Sequence, residues 1–241
     1  MNQQTPPMYE PDHADQCACR AVTVGSMREL VFLMCLAVGC LAQAPRPCRS
    51  PPRLTGSIYV ANKKVHAHGK FTYDGFGERI RFKEVGCYEN KTFAVDALLL
   101  FRKGIMYTIH HRTKTCKMHR LRRDHFHPVE IPRNATLLGQ VVLGSSSAPG
   151  QGLLVNTWHG EHKTRTGAKK YMSTFTEFGC IPVSTTHHCN KTEWVLTSFF
   201  NVVIGFEDPQ VFIPPTFCHG SQLDDNEEEA DFYTVFNNIN N

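Results

Sequence analysis

The chain has no apolar run long enough to cross a bilayer. Its longest, Leu30–Leu41, has 12 residues, where a spanning helix needs about 20. Common enzyme signatures are missing as well. Gly144-Ser-Ser-Ser-Ala148 lacks the Gly-x-Ser-x-Gly spacing of a nucleophile elbow. Gly139-Gln-Val-Val-Leu-Gly144 starts like a P-loop, but Ser145 stands where Lys is required. No EF-hand loop is present, no long amphipathic helix and no internal repeat. The net charge of +4 with His neutral is too weak to imply nucleic-acid binding. These absences point away from an enzyme and towards a binding or structural protein.

Cysteine, by contrast, is plentiful. Of ten, Cys17, Cys19, Cys35 and Cys40 lie before residue 45, and Cys48, Cys87, Cys116, Cys180, Cys189 and Cys218 lie after it. The second group is even in number, widely spaced and free of Cys-x-x-Cys pairs. That suits a disulfide framework better than a zinc site, although six cysteines allow 15 pairings. An oxidising compartment requires export. The 12-residue run follows Arg28 and precedes Ala42-Gln43-Ala44, a small-x-small cleavage pattern. The reading is an N-terminal extension plus signal peptide over 1–44, cut after Ala44, with a signal anchor as the alternative. Glu10, Asp12 and Asp15 do not suit a charged leader, so Met27 reads as the working start. Behind such a leader, the sequons at Asn90, Asn134 and Asn190 become expected glycosylation sites.

The mature part reads as strands. Arg79-Ile-Arg-Phe-Lys83 alternates, as do Ile105, Tyr107 and Ile109. Asp74-Gly75 is a turn signal, and Arg102-Lys-Gly104 marks a tight hairpin. Further strands are expected at 115–121, 137–143, 153–158, 171–178, 181–187 and 193–204. Gly144–Gly150 reads as a loop, as does the polar stretch Gly160–Lys170, and Asp208–Pro215 holds room for one helical turn. About ten short strands imply an all-β sandwich or barrel-like sheet over 45–220. The tail 221–241 is acidic, with Asp224, Asp225, Glu227, Glu228, Glu229 and Asp231 close together, and reads as solvated.

Several motifs stand in a specific order along the chain. They are Arg46-Pro-Cys-Arg-Ser-Pro-Pro52, Phe71-Thr-Tyr-Asp74, Arg79-Ile-Arg-Phe82, and Asn90-Lys-Thr92 followed by Asp96-Ala-Leu-Leu-Leu-Phe101. Thr115-Cys-Lys117, Phe178-Gly-Cys-Ile-Pro-Val183 and Phe212-Ile-Pro-Pro-Thr-Phe-Cys218 complete the series. From about Pro45 to Phe236 the chain resembles the ependymins and ependymin-related proteins. The resemblance implies strongly curved antiparallel sheets in a half-open, barrel-like sandwich around an apolar cavity, similar to bacterial lipoprotein carriers. It implies a secreted or lysosomal glycoprotein, a homodimer, and links to calcium, cell–matrix adhesion and hydrophobic or anionic lipids. By the same resemblance Cys48 pairs with Cys180 and Cys116 with Cys218. Cys87 and Cys189 are left over and are paired with each other.

Strand phase nominates the lining of such a cavity: Phe71, Tyr73, Ile80, Phe82, Leu98, Leu100, Ile105, Tyr107, Ile109, Trp158, Phe175 and Phe199. A one-residue error in phase would move any strand's set to the opposite face. The plain alternative is a packed core. The stretch His110–His127 is strongly basic: Arg112, Lys114, Lys117, Arg120, Arg122 and Arg123 stand among His110, His111, His119, His125 and His127. It suits an anionic headgroup and would strengthen as His protonates, or it is a solvated face. His125-x-His127 does not match a closed zinc site. The acidic tail offers oxygen ligands to calcium without a defined geometry, so no metal ligands are assigned. Two functions remain: a carrier of hydrophobic or lipid-like molecules, and an adhesive matrix glycoprotein acting through calcium and glycans.

Overall fold

The computed structural model describes residues 27, 31–32, 34–35, 44–89, 91–121, 126–164, 167–190 and 193–224. The chain divides into two compact units, Met1–Ala44 and Pro45–Asn241. In the first, the described residues 27, 31, 32, 34 and 35 are helical. No described helix is long and apolar enough to cross a membrane.

The second unit is all-β. Its strands are β1 (Arg53–Ala61), β2 (Val65–Asp74), β3 (Arg79–Tyr88), β4 (Lys91–Leu100), β5 (Ile105–His110) and β6 (Thr115–Arg120). They continue with β7 (Thr136–Gly144), β8 (Gly152–Thr164), β9 (Gly167–Thr176), β10 (Pro182–Asn190), β11 (Glu193–Ile204) and β12 (Leu223–Asp224). All belong to one sheet, in the order β12-β6-β5-β4-β3-β2-β1-β11-β10-β9-β8-β7. Two meanders, β1–β6 and β7–β11, meet where β1 pairs with β11. Every pairing is antiparallel except the short β12 on β6. The order has two free ends, so the sheet is curved but not closed into a barrel.

The turns form where the sequence signals them. Asp74 accepts from the Gly77 amide at 3.1 Å and from Arg79 Nε at 2.8 Å, fixing the β2–β3 turn. Gly104 takes the left-handed conformation, φ 66°, that ends the turn Phe101–Lys103 before β5. Asp208 caps the 3₁₀ turn Pro209–Phe212 by accepting from the Gln210 amide at 2.8 Å. One expected loop is replaced. Across 160–170 the chain makes a hairpin, with Lys163 opposite Ala168 and Thr164 opposite Gly167. Backbone ladders form regardless of side-chain polarity.

Register divides the side chains between two faces. Leu54, Ile58, Val60, Phe71, Tyr73, Ile80, Phe82, Leu99 and Met106 share one cluster on what we term the core face. Leu98, Leu100 and Ile109 lie on the other, outer face, beneath Phe206, Val211, Phe212 and Phe217. The segment 206–218 is therefore a cover for β3–β6. Two devices hold it down. Cys116 on β6 is joined to Cys218. Arg81 donates from Nε and Nη2 to both carboxylate oxygens of Asp96, at 2.8 and 2.7 Å, and from Nη1 to the Val211 carbonyl at 2.6 Å. His111 Nε2 closes on Asp96 Oδ2 at 2.6 Å. Cys48, ahead of β1, is joined to Cys180 in the β9–β10 turn, where Ser50 Oγ donates to the Cys180 carbonyl at 2.6 Å.

The expected Cys87–Cys189 bond does not form. Cys87 is exposed and unpaired on β3. Cys189 belongs to β10, and β2, β1 and β11 lie between them. Four strand steps span roughly 19 Å along the sheet, whereas bonded cysteines keep their Cα atoms about 4.4–6.8 Å apart.

The Arg81–Asp96 pair is almost fully buried, at 7% and 6% side-chain exposure. Removing one partner strands a charge in the interior. Arg81→Leu is expected to lower stability by about 3–5 kcal/mol, read as a shift in the urea midpoint. Arg102→Leu, whose exposed guanidinium reaches the Glu78 carboxylate at 3.8 Å and donates to the Phe76 carbonyl, is expected to change it by no more than about 1.5 kcal/mol.

Candidate ligand-binding face

The core face is closed at one end and built differently at the other. Cluster residues outside the strands all come from the end of Leu54, Tyr73, Ile80 and Phe175. They are Cys48, Phe101, Leu121, Phe126, Val129, Ile131, Ala135, Cys180 and Ile181. There Phe126 stacks on Tyr73 at 6.1 Å and packs edge-on to Phe101 at 5.2 Å. Tyr73 Oη accepts from the Val129 amide at 3.3 Å. The opposite end lies towards the β1–β2, β3–β4, β5–β6 and β10–β11 turns. Here the same face presents Phe93, Val95, Thr185, His187 and Phe199, all half-buried. Register places Thr197, Thr185, Ser173 and Trp158 in a single row across β11, β10, β9 and β8. The face thus changes from mainly apolar on β1–β4 to apolar with a row of hydroxyls on β8–β11.

Two polar groups stand out within it. Glu84, on β3, points into the core face between Val95 of β4 and Gly69 of β2. It is 2% exposed, and neither carboxylate oxygen meets a hydrogen-bond donor among the described residues. Burial alone pushes its pKa up to about 8. Gly69 is what makes room for it. A Cβ at Gly69 would stand 2.8 Å from Glu84 Cγ and 2.0 Å from the Lys83 carbonyl oxygen. The second group is Trp158 Nε1, buried without an acceptor among the described residues in the cluster with Phe175, Ile131 and Cys180.

The sequence-derived lining residues are brought together only in part. Phe71, Tyr73, Ile80, Phe82 and Phe199 share the first core-face cluster, and Trp158 and Phe175 share another on the same face. Phe199 meets Phe71 edge-on at 5.4 Å. Leu98, Leu100, Tyr107 and Ile109 pack on the outer face under the 206–218 cover, and Ile105, opposite Leu100, follows them in register. Asp96 through Leu100 are all buried, so β4 has no polar alternation from which to read its phase. The residues on β4 and β5 that do face the core, Ala97, Leu99 and Met106, escaped the sequence reading for that reason, and so did Leu54, Ile58 and Val60.

The basic stretch is also divided. Arg112 and Lys114 sit on the β5–β6 turn, Lys117 shares the core face with Thr108, and Arg120 falls on the outer face opposite Ile105. His110 and Lys117 are exposed and His119 is buried. Arg122, Arg123 and His125 lie outside the described residues, while His127 is exposed. Of the sequons, Asn134 is exposed before β7, Asn90 lies outside the described residues, and only the backbone of Asn190 is described, at the end of β10. Among the described residues no three His, Cys, Asp or Glu side chains are placed to hold a metal ion. The acidic positions 225–231 lie outside them.

The ependymin family model matches residues 89–218, from the β3–β4 turn to the cysteine that anchors the cover. Ependymin-2 of Carassius auratus is 34% identical over 215 residues, covering 86% of this chain and 98% of that one. The chain belongs to the ependymin family. Ependymin of Notemigonus crysoleucas is likewise 34% identical, with the same coverage. Ependymin-1 of Oncorhynchus mykiss is 32% identical over 218 residues, covering 87% of this chain and 96% of that one. Among solved structures, an uncharacterized conserved protein from Thermus thermophilus overlaps 80% of this ependymin-family chain and 98% of its own. Its TM-score is 0.44 and its identity 8%, which adds nothing to the fold described above.

An indole N–H without an acceptor contributes its desolvation cost and no bond. Trp158→Phe is therefore expected to change stability by less than about 2 kcal/mol, whereas Trp158→Ala costs about 3–5 kcal/mol through the cavity it leaves. Urea unfolding of the two variants measures the difference.

Proposed function

We propose that this ependymin-family chain is a secreted, N-glycosylated, non-enzymatic binder of hydrophobic or lipid-like molecules, and that the core face is where they bind. The observation that carries this reading is the asymmetry of that face. One end is sealed by 126–131 and the Cys48–Cys180 bond, while the other offers half-buried Phe93, Val95 and Phe199 near the hairpin turns. An apolar tail inserted there exchanges water contact for contact with aromatic and aliphatic side chains. Arg112, Lys114 and Lys117 stand towards the same end and suit the head of an anionic amphiphile. Disulfides on both meanders favour an oxidising, extracellular setting. Calcium enters this reading only through the acidic tail.

The outer face favours a second reading, adhesion or self-association. Over β7–β11 it presents Val141, Leu143, Leu153, Met172 and Phe200, each between 43% and 52% exposed. Thr157, Thr174, Thr186 and Ser198 lie among them, and the Glu161–Lys170 pair stays at one end. A broad uncharged sheet face of this kind marks a protein contact, and a second copy offers one that is self-complementary.

Two measurements test these readings. A dansyl-labelled fatty acid is expected to bind the purified glycoprotein. Phe199→Ala is expected to weaken it about tenfold through the lost aromatic contact. Arg112→Ala/Lys114→Ala/Lys117→Ala should weaken the fatty acid but spare an uncharged naphthylamine probe. Absence of binding by either probe ends the carrier reading. In sedimentation velocity the chain is expected to run as a dimer that Leu143→Lys/Phe200→Lys converts to monomer. A monomer before substitution removes the self-association reading.

A further inference from the structure

Glu84 sits deeper in the core face than any other acidic residue described there, and the carrier reading assigns it no task. A carboxyl enclosed on all sides without a donor is rare, because ionisation there has nothing to offset lost hydration. Its immediate neighbours are apolar or lack side chains. β2 offers Ala67 and Gly69, β4 offers Phe93 and Val95, and β1 offers Ile58 and Val60. The titratable groups that share the face are Tyr73 on β2, Tyr88 on β3, Lys91 on β4, His110, Lys117 and His119 on β5 and β6, and Tyr171 and His187 on β9 and β10. None pairs with the Glu84 oxygens. His66, His68, Lys70 and Lys83 alternate on to the outer side of β2 and β3. The place is also tailored. Gly69 leaves a gap that the Glu84 side chain crosses, and any Cβ there would collide with Lys83 backbone.

We propose that Glu84 is a proton-operated latch on the core face. As the neutral acid it lies closed over Gly69. Ionised, it leaves the apolar interior and loosens β2, β3 and β4 at the open end, where the ligand would enter. The proposal rests on the reading of the core face as a binding site, but its effect on folding does not.

The pH dependence has a definite sign. The folded carboxyl holds its proton up to about pH 8, whereas the unfolded one releases it near 4.5. Stability from the neutral acid is complete below pH 4.5 and lost as pH rises through about 8. The face is therefore tight in acid and loosest in mildly alkaline solution.

Three readouts on the full chain test the latch. With carbon-13 in the glutamate carboxyls, one resonance is expected to titrate near pH 8, and it should vanish in Glu84→Gln. All glutamates titrating below pH 6 would overturn the proposal. Thermal melts from pH 4.5 to 8.5 should show the wild type losing about 10 °C relative to Glu84→Gln and Glu84→Leu, and parallel curves would refute it. Anilinonaphthalene sulfonate emission should rise severalfold over the same range in the wild type and stay level in both variants. If that dye binds neither wild type nor variants at any pH, the binding face is wrong, while the titration and the melts still judge Glu84.

Discussion

A sheet twelve strands wide has two faces to shield from water, and the fold depends on how the Asp96–Leu100 segment is enclosed from both. On the core side Ala97 and Leu99 join the cluster built on Phe71, Ile80 and Phe82. On the outer side Leu98 and Leu100 lie beneath Phe212 and Phe217. The cover has no regular structure beyond two short 3₁₀ turns, so it cannot hold itself in place through a helix or strand ladder. A buried guanidinium–carboxylate fork and a disulfide supply what the backbone does not. Arg81 reaches both the Asp96 carboxylate and the Val211 carbonyl, tying sheet to cover by directional bonds. Such a pair fixes geometry more than it adds stability, because both ions lose their hydration.

The two halves of the sheet then serve different ends. β3–β6 are covered outside and packed inside. Among the described residues β7–β11 carry no cover of that kind on the outer face, and Val141, Leu143 and Phe200 are exposed there. On the core face the contrast runs along the strands instead. Loop residues seal one end, and the end near the hairpin turns has half-buried aromatics and a lone carboxyl. A binder of apolar molecules needs such a gradient, since a face packed along its whole length admits nothing and one open along its whole length collapses or aggregates.

Much of this architecture was legible beforehand. Strands alternating between water and core declare themselves, as in β3, where Ile80 and Phe82 face inward. Turns rest on local chemistry, so Asp74 and Gly104 were readable without knowledge of the fold. The phase of β4 and β5 was not, because an apolar run enclosed on both sides has no period to read. The hairpin at 160–170 was hidden for the opposite reason, having too little apolar content to resemble a strand. Glu84 keeps the inward phase of Ile80 and Phe82, but a charged residue in a strand of charged residues reads as solvated, and only the packed structure shows that its oxygens meet no donor among the described residues.

The amino-acid order by itself determined the all-β class, the tight turns and the order of motifs that mark the family, because each rests on neighbours within a few residues. Tertiary structure alone decided which face each side of β4 meets and which cysteines come within bonding distance. It alone placed one glutamate opposite a glycine and out of reach of water. Those outcomes depend on register between strands distant in the chain, and a shift of one residue exchanges inside for outside.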